Sequence, residues 1–292
     1  MGAQQLATMS PRTASWLQAS PFAVIMAGLV LVPLAIIVSV SFMDYGFAEI
    51  IPEFYLGNWS DVFRSNLTLD IYATVLQQVV IVWCATLLIG FTVAYYLLFH
   101  VRSNMWRAIF LAACAIPFWT SGPIRMISWV PLLGREGLVN QALMGMGLID
   151  QPISWLLYSE FSVLIVYVNM LTLAMLGPIA NSMGKISPSI IQAARDQGAN
   201  EWQIITEVII PLIKPGIAVG TIFVVTAVMG DGFLVRAMSG NQVNTPAVAI
   251  MNEINAFQYP PAAAKSVLLL AIVLVFVGTL LRFVDIRKEL AR

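Results

Sequence analysis

The sequence predicts an all-α membrane protein with six transmembrane helices and both termini in the cytoplasm. Of its 292 residues, 59% are hydrophobic and only 10% are charged, whereas about a quarter of a typical soluble domain is charged. The mean hydropathy is +0.85, and long uncharged stretches recur along the chain. The alternating hydrophobicity of barrel strands is missing, so helices are the expected spanning elements. This composition excludes a soluble two-domain enzyme, a disordered chain and a fibrous protein.

The polar residues offer little for catalysis or metal binding. The 15 basic and 15 acidic residues balance, so no strongly basic face for nucleic acid is expected. Cys84 and Cys114 lie in apolar runs without the spacing of a disulfide framework or a zinc cluster, and His100 is the single histidine. We therefore expect no catalytic residue, metal site or cofactor in this chain.

Six stretches approach the roughly 20 apolar residues that a helix needs to cross the hydrocarbon core. The third contains Arg125, and the last two are short but bounded by lysine or arginine, whose long side chains can reach the headgroups. In chain order, the predicted spans are Phe22–Met43, Ile71–Phe99, Ala108–Leu133, Phe161–Gly184, Pro215–Gly230 and Ser266–Leu281. The predicted domain limits are a cytoplasmic tail at 1–20, a six-helix membrane domain at 21–284 with an inner loop at 185–212, and a cytoplasmic tail at 285–292.

Loop charges orient the bundle, because lysine and arginine prefer the cytoplasmic side of a membrane. With both termini inside, ten of these residues fall on the inner segments and four on the outer loops. This asymmetry predicts that the 185–212 loop faces the cytoplasm.

The 185–212 loop carries helix start and stop signals of its own. Ser187 is a predicted N-cap with Pro188 at the first helical position, and Gly198 lies where a left-handed residue would end that helix. Asn200, with a glutamine three residues on, predicts a second helix that Pro211 ends. On these residues alone, the element is either a helix pair resting in the lipid headgroups or a docking site for a cytoplasmic partner.

The same loop resembles a known signature. The segment QAARDQGANEWQIITEVIIP, which begins at Gln192, is similar to the signature loop of the permease subunits of binding-protein-dependent ABC importers. The identical positions are Ala193, Ala194, Gly198 and Pro211, whereas Gln192 replaces a glutamate. Two further segments, Ala115–Leu143 and Met229–Gly240, are similar to the spermidine/putrescine-type permease family.

The resemblance implies a type I ABC importer permease fold in a bacterial inner membrane. The implied partners are a second permease subunit (identical or different), two cytoplasmic ATPase subunits that bind ATP and magnesium, a periplasmic substrate-binding protein, and membrane lipid. This chain has no phosphate-binding loop, since the nearest fragment, Gly184-Lys185, is followed by isoleucine. The residues that the resemblance assigns to ATPase coupling are Gln192, Ala193, Ala194, Asp196, Gly198 and Pro211.

The implied solute is a polyamine or a similar small nitrogenous molecule, and polar groups within the spans are its candidate contacts. Asp231 lies between two glycines at the end of the fifth span, where a carboxylate facing water would attract an ammonium ion. Aromatic rings can assist through cation–π contacts. The other candidate pathway residues are Trp119, Trp129, Tyr167 and Asn169. Alternatively, Asp231 lies in the outer headgroup region or pairs with Arg236.

Arg125 conflicts with a cationic solute, because a cation within a span is costly and would repel a polyamine. We expect it to pair with Glu160 or Asp231, or else to bind an anionic group of the solute. The second option matters because this permease subfamily also resembles carriers of amino-carboxylates and opine-like solutes.

Two other classes remain as rivals. A stand-alone secondary transporter predicts paired inverted repeats with broken spans, and the sequence shows no convincing internal duplication. A membrane-embedded enzyme would need a cluster of histidines or carboxylates at span depth, which one histidine and one intramembrane acid do not supply.

Overall fold

The computed structural model describes residues 11–47, 49–101 and 103–283. The predicted tail at 285–292 and the first ten residues of the predicted 1–20 tail lie outside this part of the chain. Two compact units are present: the smaller comprises residues up to 64 together with 253–267, and the larger comprises 65–252 with the residues from 268 onward.

The smaller unit begins with helix α1 (Pro11–Val40), which continues further toward the N-terminus than the predicted first span. An antiparallel hairpin of β1 (Met43–Tyr45) and β2 (Ile50–Phe54) and the short helix α2 (Gly57–Arg64) follow. Asn58 of α2 links that helix to the hairpin, since its side-chain amide donates to the carbonyl of Met43 at 2.8 Å.

The larger unit is built around three long helices: α3 (Asn66–Tyr95), α8 (Glu160–Met183) and α11 (Ile210–Gly230). Helix α8 packs against both α3 and α11, which also pack against each other. Glycine allows a close approach of α11 to α8: a Cβ on Gly220 would lie 2.6 Å from the sulfur of Met175 and 3.2 Å from its Cα. Small residues of this kind bring helix backbones together where lipid provides no hydrophobic driving force.

Shorter elements complete the chain. The remaining helices are α4 (Asn104–Ala115), α5 (Gly122–Ile127), α6 (Val130–Leu133), α7 (Leu138–Gly145), α9 (Pro188–Asp196), α10 (Glu201–Gln203), α12 (Gly232–Ser239), α13 (Pro246–Asn255) and α14 (Tyr259–Phe283). Two π-helical turns, Tyr96–His100 and Ile204–Ile209, follow α3 and precede α11, and a 3₁₀ turn spans Ile116–Trp119.

Within the described residues, five helices are long and apolar enough to cross a membrane: Ser20–Val40, Asn66–His100, Glu160–Met183, Glu201–Gly230 and Tyr259–Arg282. These correspond to five of the six predicted spans. Six crossings therefore remain a prediction that depends on the segment between Asn104 and Leu133.

A continuous third span, predicted at Ala108–Leu133, is wrong. The segment consists of the 12-residue α4, the 3₁₀ turn, the 6-residue α5 and the 4-residue α6. Prolines explain the breaks, because each lacks the N–H that would continue the helical hydrogen bonds. They occupy positions 117, 123 and 131.

The prediction that Pro211 ends a helix is also wrong. Helical structure runs from Glu201 through the π turn into α11 and on to Gly230, so the fifth span is much longer than Pro215–Gly230. In the π turn the N–H of Ile210 bonds to the carbonyl of Ile205, five residues back. This wider turn changes the hydrogen-bond register just before Pro211, where an ordinary α-helix would meet a missing donor.

Candidate functional site

The first candidate region is the turn between α9 and α10, which we call the Gly198 corner (residues 187–203). Helix α9 begins as predicted: the Ser187 hydroxyl accepts from the N–H of Ser189 at 3.4 Å, and Pro188 occupies the first turn. The chain then reverses at Gly198, whose φ of +85° is left-handed. L-residues with a Cβ rarely adopt this conformation, so the predicted stop at Gly198 is confirmed and explained.

The second arm of the corner has the predicted capping box. The Asn200 side chain accepts from the N–H of Gln203 at 2.9 Å, and the Gln203 side chain accepts from the N–H of Asn200 at 2.9 Å. Two backbone donors that would otherwise lack partners are thus satisfied at the start of α10.

An ion pair links the two arms across the corner. Arg195 of α9 donates to Glu201 of α10 at 2.9 Å, and the hydroxyl of Tyr95, at the end of α3, donates to the same carboxylate at 3.4 Å. The Arg195 side chain is 50% exposed and the Glu201 side chain 61% exposed, so the pair contributes only about 0.2–1 kcal/mol. These contacts join α9, α10 and the end of α3 at one carboxylate.

One side of the corner, together with the π turn that follows it, packs into the core. Ile191 of α9 is buried, and Ile204 and Ile209 of the π turn are each only 1% exposed. A cavity of about 230 Å³ lies between this side and the end of α3, with Tyr95, His100 and Arg195 in its wall. The corner is therefore joined to the helix bundle by packed side chains and is not a loose surface loop.

The opposite side of the corner is open and carries most of the predicted coupling residues. Gln192, Ala193, Asp196 and Gly198 are exposed, and the Gln192 amide donates to the Asp196 carboxylate at 3.0 Å. Ala194 is half-buried against the core, and Pro211 is exposed but separated from the corner by the π turn. Two large apolar residues of the corner are also exposed: Ile190 at 45% and Trp202 at 72%.

The second candidate region surrounds Asp231, where α11 ends and α12 begins. The Asp231 carboxylate accepts from the N–H of Leu234 at 2.9 Å and so caps α12, a role that was not predicted from the sequence. The Asp231 carbonyl accepts from the hydroxyl of Tyr167 at 3.1 Å. Gly232 allows a close approach to α13, since a Cβ there would lie 2.9 Å from the carbonyl carbon of Ala247.

The other predicted pathway residues are only partly brought together. Tyr167 meets Asp231 but is 1% exposed, so its ring is a core element, whereas Trp119 is 85% exposed. Trp129 is half-buried against the core and Asn169 is exposed on α8. Helix α5, which carries Arg125, packs against α8 and α12, and among the candidate pathway residues a hydrogen bond joins Tyr167 to Asp231.

The expected ion pairs of Arg125 and Asp231 are absent from the described part of the chain. The ion pairs found there are Arg195–Glu201 and Glu253–Lys265, so Arg125 pairs with neither Glu160 nor Asp231, and Asp231 does not pair with Arg236. Each acid has another contact: the capping bond for Asp231, and for Glu160 a hydrogen bond from the Gln78 amide at 3.5 Å. The half-buried Arg125 has a buried Nε without a hydrogen-bond partner.

Sequence reasoning missed two polar features. The carboxylate of Glu253, near the end of α13, pairs with Lys265 of α14, and both side chains are mostly buried. Gln78 of α3 is completely buried and its carbonyl oxygen lacks a partner. Opposite charges on either side of the short α13–α14 connection were a usable signal for the first feature, whereas the depth of Gln78 depends on the rotation of α3.

A protein-family model matches more than half of the chain. Residues 86–287 match the family described as "Binding-protein-dependent transport system inner membrane component". The matched range contains the Gly198 corner, the Asp231 region and the long helices α8 and α11.

Curated relatives agree with this match. The chain is 30% identical to the spermidine/putrescine transport system permease protein PotB of Haemophilus influenzae, over 73% of this chain and 74% of the relative. It is 29% identical to PotB of Escherichia coli K12, over 82% and 86% of the two chains. It is 28% identical to the inner membrane ABC transporter permease protein YdcU of the same organism, over 80% and 78%.

Solved structures share the fold. A bacterial ABC transporter involved in the import of the acidic polysaccharide alginate matches with a TM-score of 0.73 at 18% identity, covering 93% of this chain and 96% of that chain. The bacterial alginate ABC transporter in complex with alginate pentasaccharide-bound periplasmic protein matches with a TM-score of 0.72 at 19% identity, covering 92% and 93%. At these identities the likeness concerns the fold alone.

Proposed function

The chain belongs to the family of binding-protein-dependent transport system inner membrane components, and from this premise we propose that its Gly198 corner is where a separate ATPase subunit docks. The protein is an ABC importer permease of the inner membrane, a membrane subunit that is not itself the ATPase. In the proposed assembly, two permease subunits enclose the solute pathway, two cytoplasmic ATPases bind ATP and magnesium, and a periplasmic binding protein delivers the solute.

The observation that supports this proposal is that continuous helical structure connects the corner to a candidate membrane span. From Glu201 to Gly230 the backbone is helical throughout, with the π turn in place of a loop. A docked ATPase that displaces α9 therefore acts on α11 through the Gly198 turn and the Arg195–Glu201 pair. Packed and hydrogen-bonded elements of this kind have few alternative arrangements, so they can transmit a two-state change.

The open face of the corner has the composition of a docking surface. Ile190 and Trp202 expose large apolar surfaces, and the small Ala193 and the polar Gln192 are exposed as well. Aromatic side chains with apolar neighbours and a polar rim are typical of interfaces between proteins. The buried isoleucines beneath this face keep its shape constant before the partner arrives.

Co-purification tests the docking proposal. We expect the ATPase subunit to remain with the wild-type chain in mild detergent, and Ala193→Trp to release most of it, because the added ring blocks close contact at an exposed position. Met146→Trp is the matched control, since Met146 is 66% exposed and lies outside the corner. If no ATPase accompanies the wild type, or if Ala193→Trp retains as much as Met146→Trp, the docking site is wrong.

We further propose the topology that the loop charges predict: six crossings, with both termini and the Gly198 corner in the cytoplasm. The excess of lysine and arginine on the proposed inner segments supports this orientation. Single cysteines at exposed positions 146 and 192 test it, because an impermeant thiol reagent added to intact cells should label only position 146. Labelling of position 192 from outside would contradict the proposed orientation.

For the solute, we propose a polyamine or a similar small nitrogenous cation. Two relatives are spermidine/putrescine permeases by name, and Asp231 supplies a carboxylate at the junction of α11 and α12. One carboxylate oxygen is used in the cap, and an ionised carboxylate has further acceptor positions for an ammonium group.

A second candidate is an amino-carboxylate solute, which the half-buried Arg125 favours. Its buried Nε has no partner, and a guanidinium group binds carboxylates in a fixed geometry. Titration of the cognate binding protein with putrescine, spermidine and 4-aminobutyrate separates the two candidates. Binding of 4-aminobutyrate alone would overturn the polyamine proposal, and binding of the polyamines alone would overturn the carboxylate candidate.

A further inference from the structure

An apolar crevice of about 380 Å³ lies between α3, α11 and the last part of α14, away from both candidate regions. Its wall includes Val80 and Trp83 of α3, Val225 of α11 and Phe276 of α14. Lys214 is its one charged lining residue within the described part of the chain. We propose that this crevice binds one acyl chain of an anionic phospholipid, with the lipid phosphate at the Lys214 ammonium group.

Apart from Lys214, the wall of the crevice is apolar, because the polar side-chain atoms of Trp83 and Thr221 are already hydrogen-bonded. The indole N–H of Trp83 donates to the Thr221 hydroxyl at 2.8 Å, and that hydroxyl donates to the carbonyl of Ile217 at 2.7 Å. This chain of bonds also fixes the Trp83 ring as a rigid wall. A hydrocarbon chain is the ligand that leaves no donor or acceptor unpaired against such a surface.

The length of the crevice fits one leaflet of a bilayer. Lys214 and Val225 both line it and are eleven residues apart on α11, which corresponds to about 16 Å along a helix. The hydrocarbon core is about 30 Å thick, so one leaflet is about 15 Å. A lipid whose headgroup lies at Lys214 would therefore extend its acyl chain to the Val225 end of the crevice, near the bilayer midplane.

Lys214 supplies the charge complementarity. Its side chain is exposed, and it forms no ion pair in the described residues. A lysine close to the membrane surface favours anionic over zwitterionic lipid by about fivefold. The crevice thus selects for an acyl chain by shape and for an anionic headgroup by charge.

Native mass spectrometry of the purified importer complex tests this proposal. The complex is equilibrated with equal amounts of phosphatidylglycerol and phosphatidylcholine with identical acyl chains. We expect the wild type to retain phosphatidylglycerol about fivefold in preference. Lys214→Gln should abolish the preference while phosphatidylcholine is still retained, and Lys185→Gln, which removes an exposed lysine outside the crevice, should leave it unchanged.

A second pair of variants tests the crevice itself. Val80 is 58% exposed and lines the crevice, whereas Leu88 is 69% exposed on the same helix and does not. Val80→Trp should fill the crevice and reduce retention of both lipids several-fold, and Leu88→Trp should retain both. Equal retention of the two lipids by the wild type, or equal behaviour of the two tryptophan variants, would overturn the proposal. A specific cross-link between position 80 and a partner subunit would also overturn it.

Discussion

Replacing Gly198 by valine tests the mechanical role of the corner more directly than any other single change. The residue has a φ of +85°, and an added Cβ would meet no atom within 4 Å. The expected damage is therefore backbone strain and not a steric clash with a neighbour.

The size of that strain follows from the left-handed conformation. It costs an L-residue about 1–2 kcal/mol, and a β-branched side chain increases the cost. The Arg195–Glu201 pair contributes at most about 1 kcal/mol because it is exposed, so it cannot hold a valine in this turn. We expect the native corner to become less populated by a factor of about 5 to 30, with a matching loss of apparent ATPase affinity.

The assay is ATP hydrolysis and solute uptake by the reconstituted importer. Gly198→Val should lower uptake and uncouple it from ATP hydrolysis, Gly198→Ala should do so less, and Gly198→Asn least, because asparagine tolerates the left-handed region. Gly145→Val is the matched control, since Gly145 has open space around it and an ordinary φ. Normal coupled uptake by Gly198→Val, or equal damage from asparagine and valine, would show that the left-handed turn at Gly198 is not needed for coupling.

The remaining predictions concern packing and polar groups. Gly220→Val should lower thermal stability by about 1–3 kcal/mol through overpacking, whereas Gly177→Val, with nothing within 4 Å of its added Cβ, should have little effect; equal melting temperatures would contradict the close approach. Asp231→Asn should weaken polyamine uptake without loss of stability, because asparagine is an equally good N-cap; unchanged uptake would assign Asp231 to capping alone. Lys265→Met should destabilise by about 3–5 kcal/mol by leaving the carboxylate of Glu253 buried and unpaired; the double variant with Glu253→Leu should recover much of this loss in a denaturation experiment, and no recovery would contradict the pairing.

Local signals in the sequence predicted much of the corner. The Ser187 cap, the Asn200–Gln203 capping box and the left-handed Gly198 are all confirmed, because each depends on hydrogen bonds and steric limits within a few residues. The prediction failed at Pro211, where the π turn preserves helical continuity. A proline in the sequence indicates a missing backbone donor. It does not show whether the helix ends there or continues with a different hydrogen-bond register.

The third span shows a different reason for failure. Its hydropathy was read as one continuous helix, although prolines 117, 123 and 131 remove donors along it. Apolar length measures the free energy of entering lipid, whereas helix continuity depends on the backbone donors. The two criteria agree for the five long helices and disagree for this segment.

Hydropathy and capping signals, which are local free energies, are enough to identify this chain as a helical membrane protein and to locate most of its long apolar helices, caps and turns. The contacts between polar groups follow from the folded arrangement of the helices. That arrangement left Arg125 without the acid expected for it, bound the Tyr167 hydroxyl to the backbone of Asp231, and placed Lys214 at an apolar crevice. The physical reason is that such meetings depend on the depth and rotation of each helix, which are set by the packing of α3, α8 and α11 against one another.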